Sequence, residues 1–282
     1  MAVVKVLGTT MTSTERGSGR PVLFLHGNPT SSYLWRHVLD RLPKDIGHLV
    51  AIDLVGMGAS GKPALDYTLA DHLAHVEGYA DAQGLDDLIL VGHDWGVALS
   101  LALLHRRPDL VRAVALMEGH LHPLTGWDAF DEGGRTLFRT LRGPDGERQV
   151  LEENFLVETL LPAGMHRTLT EEELAVYRAP YPDPASRRPL LQWAREIPVA
   201  GEPAGTVALM AQAWEHATTS AVPKLLVHGT PGVVVGADLV AECRASLPAL
   251  TVVDAGPSSH FLPEDRPAEV AAALAAWLPA VT

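Results

Sequence analysis

VGHDWG, residues 91–96, places glycines two positions before and two positions after a central Asp94. That spacing belongs to a sharp strand-to-helix turn, where the central residue sits in a strained backbone conformation and the flanking glycines let strand and helix approach closely. DDLILV (86–91) has the length and apolar character of a buried strand, and VALSLALLHR (97–106) reads as a helix stopped before Pro108. An ordinary turn or helix-capping aspartate is the plainer alternative. The strand before and the helix after weigh against it.

A serine at such a tip must lose a proton before it attacks, and it suits acyl carbon. An aspartate is already anionic at neutral pH and can displace a leaving group from saturated carbon. The product is an ester between chain and substrate, whose hydrolysis needs a general base and donors for an oxyanion. His260, in SSHF just past the last expected strand, stands where the order nucleophile then histidine puts that base. With thirteen histidines, one taken blind is more often structural; its place in the chain singles His260 out. The orienting acid is less direct. Many chains of this design carry it three residues past the glycine that ends the seventh strand, but here LLVHGTPG (225–232) puts Gly232 there. Glu118, directly after the strand VALM, is the substitute, because the loop beyond that strand opens at the same edge. A surface glutamate is the bland alternative.

HGNPTSSYLW (26–35) follows the strand PVLFL. The backbone N–H groups of Asn28 and Trp95 are the expected oxyanion donors. Their side chains add a carboxamide and an indole N–H, which suit a small anion departing away from water. Alone, Trp95 would read as packing and Asn28 as shaping the turn before Pro29; adjoining the nucleophile and the oxyanion loop, they are stronger together.

Outward from the turn, apolar runs at 22–25, 49–52, 88–91 and 113–117 alternate with helical patterns, including a capping box at Thr68 and Asp71 ahead of a helix to about Gln83. Further strands at 224–228 and 251–254 precede helices near 237–247 and 267–278. From about 121 to 205 the pattern breaks into short helical segments. The expected architecture is α/β, a mostly parallel doubly wound sheet in two parts (1–120 and 206–282) with an inserted helical cap (121–205).

Composition bounds the function. The 282 residues are 47% hydrophobic, enough for a large core, and the net charge of −12 repels phosphate backbones and anionic membranes. Neither nucleic acid nor a membrane is expected as a partner. Cys243 is the single cysteine, and no secretory or spanning apolar run is present, which suggests a soluble cytoplasmic protein. Zinc at His120 and His122 lacks further ligands at persuasive spacing.

HGNPTSSYLWR, DLVGMGASGKP, VGHDWG, MEGH, AREIPVAGEP, VPKLLVHGTPG and DAGPSSHFLPED together resemble the haloalkane dehalogenases of the α/β-hydrolase fold, across nearly the whole chain. More narrowly, they resemble the subfamily whose halide is held by Asn and Trp and whose acid follows the sixth strand. The resemblance implies Asp94 as nucleophile, His260 as base, Glu118 as acid, and Asn28 with Trp95 as the halide-stabilising pair. It implies hydrolysis of small halogenated aliphatic substrates by water to alcohol, halide ion and proton, with no cofactor or metal. Gly61 in place of a common aspartate, His120 and His122 beside the acid, and the two serines before His260 depart from the family pattern; none removes a catalytic group. Three alternatives remain open. Epoxide hydrolases share the aspartate turn and need cap tyrosines, for which Tyr177 and Tyr181 are available. Cofactor-free oxygenases of the coelenterazine luciferase type share these same residues. A non-catalytic ligand-binding relative would have lost a catalytic group, and none is lost here.

Overall fold

Eight strands carry the core: β1 (Ala2–Val6), β2 (Thr9–Arg16), β3 (Pro21–Leu25), β4 (His48–Ile52), β5 (Leu88–His93), β6 (Val111–Met117), β7 (Lys224–Pro231) and β8 (Leu250–Ser258). In the computed structural model, which describes residues 1–281, they form one sheet in the order β1-β2-β4-β3-β5-β6-β7-β8. β3 to β8 run parallel; β1 and β2 are antiparallel to their neighbours. The six parallel strands contain the six apolar runs; β3 to β6 are almost wholly buried, as strands covered on both faces are, while β8 at the sheet edge is largely half-buried or exposed. All six residues of β5 are buried.

The β1–β2 hairpin was not anticipated. β2 buries Thr12 and Ser13 next to Met11, so its inward positions are partly polar and give no apolar alternation. Those polar groups are satisfied: Thr12 Oγ1 donates to Asp53 at 2.9 Å, and Ser60 Oγ accepts from the Thr12 N–H at 3.0 Å.

Helix Leu69–Ala82 starts at the capping box of Thr68 and Asp71. It packs with β1 and with helix Trp95–Arg106, which in turn packs on Ala204–Thr219. Pro267–Val281 lies across β6, β7 and β8 and meets Arg36–Leu39. Between β6 and β7 the chain forms short helices, among them Glu132–Arg142, Glu171–Arg178 and Arg188–Glu196. No helix among the described residues is long and apolar enough to cross a membrane. Because β3, β5, β6 and β8 are parallel, the loops following all four open at one edge, where Asn28, Asp94, Glu118 and His260 converge.

Candidate active site

Asp94 occupies the tip between β5 and helix Trp95–Arg106 with φ +53° and ψ −120°, a conformation that side-chain-bearing residues rarely adopt. The flanking glycines make it possible. A Cβ on Gly92 would stand 2.3 Å from the Gly96 carbonyl oxygen, and one on Gly96 would stand 2.0 Å from that of Leu25. Once bent this way, the chain aims the carboxylate into the cavity. Its Oδ2 accepts the Asn28 backbone N–H at 3.0 Å; Oδ1 accepts no hydrogen bond from the described residues. The Trp95 backbone N–H, the other expected donor, makes no hydrogen bond to the carboxylate.

His260 follows β8. Its Nε2 lies 3.8 Å from Asp94 Oδ2 and its Nδ1 lies 3.6 Å from Glu118 Oε2. Both are close charge contacts just beyond hydrogen-bond length, a spacing common in sites without substrate. Burial alone would lower the imidazole pKa, but the two carboxylates outweigh it and raise it to about 9. Glu118 is fully buried at the end of β6, and its Oε2 accepts the N–H groups of Val233 and Val234 at 3.1 and 3.0 Å. Burial pushes its carboxyl up; His260 and those two N–H groups pull it net below the usual range. A side chain at position 232 is blocked, because a Cβ on Gly232 (φ +71°) would lie 2.7 Å from Glu118 Oε1. The acid from β6 fills the space that an acid after β7 would need.

A cavity of about 710 Å³ opens over these groups, lined by Asn28, Asp94, Trp95 and His260 on its floor and by Phe130, Phe138, Leu156, Trp193 and Ile197 among its apolar walls. Trp95 stacks on Trp193, centroids 4.4 Å apart, and Trp193 stacks on His72 at 4.1 Å. Packing therefore fixes the Trp95 ring, while its indole N–H meets no acceptor among the described residues. The Asn28 amide donates one N–H to the Leu190 carbonyl at 3.1 Å, leaving the second. The floor thus presents an anionic oxygen, an imidazole and two N–H donors. Tyr177 and Tyr181 are both buried outside this cavity, Tyr177 donating its hydroxyl to Glu264, so neither can protonate an epoxide oxygen opening there.

A family model described as alpha/beta hydrolase fold matches residues 20–267. A haloalkane dehalogenase of Mesorhizobium japonicum is 41% identical over 282 residues, covering 99% of this chain and 91% of its own. The chain belongs to the haloalkane dehalogenase family. A second dehalogenase, from Bradyrhizobium diazoefficiens, is 40% identical and covers 97% of this chain and 92% of its own. The crystal structure of haloalkane dehalogenase DbeA from Bradyrhizobium elkani USDA94 superposes with a TM-score of 0.96 at 40% identity, covering 99% of this chain and 97% of that one. This dehalogenase is accordingly a hydrolase acting on carbon–halide bonds.

Several residues that position the dehalogenase site escaped the sequence reading. The Gly164 carbonyl accepts the N–H groups of His260 and Phe261 at 3.1 and 3.3 Å. Asp265 accepts those of Ser259, His166 and Arg167. Glu264, fully buried, gathers Arg36, Arg167 and the Tyr177 hydroxyl, and Glu173 bridges the two arginines. His93, inside the turn itself, contacts the His260 carbonyl through Nε2 at 2.8 Å; burial lowers its pKa to about 4, so it stays neutral and donates there. Only His93 carried a signal, its adjacency to Asp94. Glu264 and Asp265 sit in the same loop as His260, and their partners come from far along the chain, Gly164 to Tyr177 about ninety to one hundred residues away and Arg36 228 residues from Glu264.

Proposed function

We propose that this dehalogenase works through a covalent alkyl ester on Asp94. Oδ2 is tied to the Asn28 backbone N–H, so the unencumbered Oδ1 attacks the halogen-bearing carbon in line. The halide departs toward the Trp95 indole N–H and the free N–H of the Asn28 amide. Hydrogen bonds to charged groups are worth about 1.5 to 3 kcal/mol each, and this pair meets the charge as it develops. Esterification removes the anion of Asp94, and with it one of the two carboxylates that raise the imidazole pKa. His260, still oriented by Glu118, then takes a proton from water as the water adds to the ester carbon. The Asn28 N–H meets the oxyanion forming at Oδ2, and collapse releases alcohol and regenerates the carboxylate. The products are alcohol, halide and a proton, the substrate a small haloalkane.

One observation carries this reading: a single oxygen of Asp94 is hydrogen-bonded while His260 Nε2 stands 3.8 Å away, backed by the buried Glu118. In the same reading, residues 121–205 form the cap over a core of 1–120 and 206–282, and the lone, buried, unpaired Cys243 favours a reducing, cytoplasmic setting. The test separates the two half-reactions. His260→Phe should accumulate the alkyl ester, seen as a mass increase of one alkyl group on the intact protein after exposure to a bromoalkane. A folded variant that stays at its unmodified mass counts against the covalent route.

A further inference from the structure

His120 faces the substrate cavity from the loop after β6, two residues past Glu118, in the same cavity as Asp94 and His260. Its ring stands edge-on to Phe130 at 6.4 Å, and neither ring nitrogen has a hydrogen-bond partner among the described residues. Burial holds its pKa near 4 against the pull of Asp94, so at neutral pH it is an uncharged imidazole with one N–H and one free lone pair. The mechanism above uses neither. An uncharged, unpaired polar ring in the cavity lining loses hydrogen bonds to water whenever an alkyl chain fills the space beside it. A substrate hydroxyl restores one. His122 extends this polar strip along the cavity, its Nε2 3.3 Å from Glu242, while Phe130, Phe138, Leu156 and Ile197 keep the other walls apolar.

We propose that His120 is a specificity-determining residue that selects haloalkanes carrying a hydroxyl group, such as ω-bromo alcohols, by hydrogen-bonding that hydroxyl while the carbon–halogen bond faces Asp94. The inference rests on the dehalogenase reading of the site. The reaction is unchanged: bromo alcohol and water give diol, bromide and a proton. A neutral hydrogen bond is worth a factor of roughly three to ten in binding.

The test compares kcat/KM, read as butanediol or pentanol formed, for 4-bromobutan-1-ol and for 1-bromopentane, a pair matched in size that differs by hydroxyl against methyl. In His120→Leu the ratio of alcohol to alkane should fall by roughly three- to tenfold, chiefly through KM, with 1-bromopentane turnover kept or improved. His120→Gln, which retains a donor and an acceptor, should recover part of the ratio. The wild-type enzyme gives a second measurement that needs no variant to fold: its KM for the alcohol should be no higher than for the alkane, although the alcohol leaves water less readily. A wild-type KM about ten times higher for the alcohol, or a ratio unmoved in a folded His120→Leu, overturns the inference while leaving the dehalogenase reading intact. Formation of neither butanediol nor pentanol by the wild-type enzyme overturns that reading, and the inference with it.

Discussion

The turn Val91–Gly96 and the loop Ser258–Asp265 deliver their side chains to the same cavity floor, and they are held by opposite means. The turn is fixed from within: Asp94 takes its rare backbone conformation because Gly92 and Gly96 remove the only atoms that would collide with Gly96 and Leu25. The loop is fixed from outside: the Gly164 carbonyl, the backbone N–H groups of His166 and Arg167, and the side chains of Arg36, Arg167 and Tyr177 hold His260 and its neighbours in place. Asp94 is therefore set by sheet geometry, while His260 is set by contacts from the segment between β6 and β7, from Arg36 after β3 and from His93 at the end of β5. In the proposed chemistry these belong to different half-reactions, attack on carbon and hydrolysis of the ester, so damage to either support should appear in its own kinetic step.

The largest effect should come from breaking the turn's local logic. Gly96→Ala drives a methyl into the Leu25 carbonyl, and neither piece of backbone can yield without displacing β3 or Asp94. A loss of about 3 kcal/mol in stability and of at least roughly 10²-fold in bromide release is expected. Near-normal rate and melting temperature would mean that the turn is not rigid. Next, Trp95→Leu removes the indole donor while keeping an apolar residue against Trp193. By analogy with loss of one oxyanion donor, it should slow the alkylation step about 10²-fold and leave ester hydrolysis unchanged in single-turnover measurements. Slowing of both steps alike would instead assign Trp95 to packing.

Damage to the loop's external support should be milder and should fall on the other step. Glu264→Gln removes the buried charge that Arg36, Arg167 and Tyr177 share, leaving Glu173 as the remaining partner of both arginines. About 3 kcal/mol of stability should be lost, and ester hydrolysis should slow by about tenfold while alkylation is spared, so that the ester accumulates early in the reaction. Equal slowing of the two steps would erase the contrast between turn and loop.

The same contrast explains what could be read from the sequence. Asp94, Asn28 and Trp95 lie in blocks whose conformations depend on residues within a few positions, so VGHDWG and HGNP carry their own geometry. Strands β3 to β6 are legible for a similar reason, burial on both faces leaving almost only apolar residues. Chain order and an empty position after β7 singled out His260 and Glu118, and the steric reason for the empty position, Gly232 against Glu118 Oε1, appears only in three dimensions. The ionic cluster around Glu264 had no local pattern to betray it: Arg36, Arg167 and Glu264 are scattered along the chain and meet only after folding. The β1–β2 hairpin stayed hidden because Thr12 and Ser13 are polar residues in buried positions, Thr12 stabilised by partners more than forty residues away and Ser13 by Glu15.

The one effect confined to stability, with no change in either half-reaction, is a pH dependence, and it probes turn and loop together because His260 answers to both Asp94 and Glu118. Its pKa is raised from 6.5 to about 9 in the folded chain, so its stabilising contribution is complete below pH 6.5 and is lost as pH rises through about 9. Glu118 shifts the opposite way, downward from 4.5, so its contribution is lost only as pH falls below that value, is complete above it, and stays constant between pH 6.5 and 9.5. Lys224, buried among the carbonyls of Ser220, Val222 and Pro248 with its pKa lowered to about 8, also titrates here, and a reference variant that retains it cancels its effect. Wild type and His260→Gln compared by urea unfolding at pH 6.5 and 9.5 should therefore differ by about 3 kcal/mol less at the higher pH. If the difference stays constant, the imidazole is not held as a cation between the two carboxylates. If it shrinks equally in a His260→Gln comparison made on an Asp94→Asn background, Glu118 alone holds that charge, and the turn contributes nothing to the loop's stability.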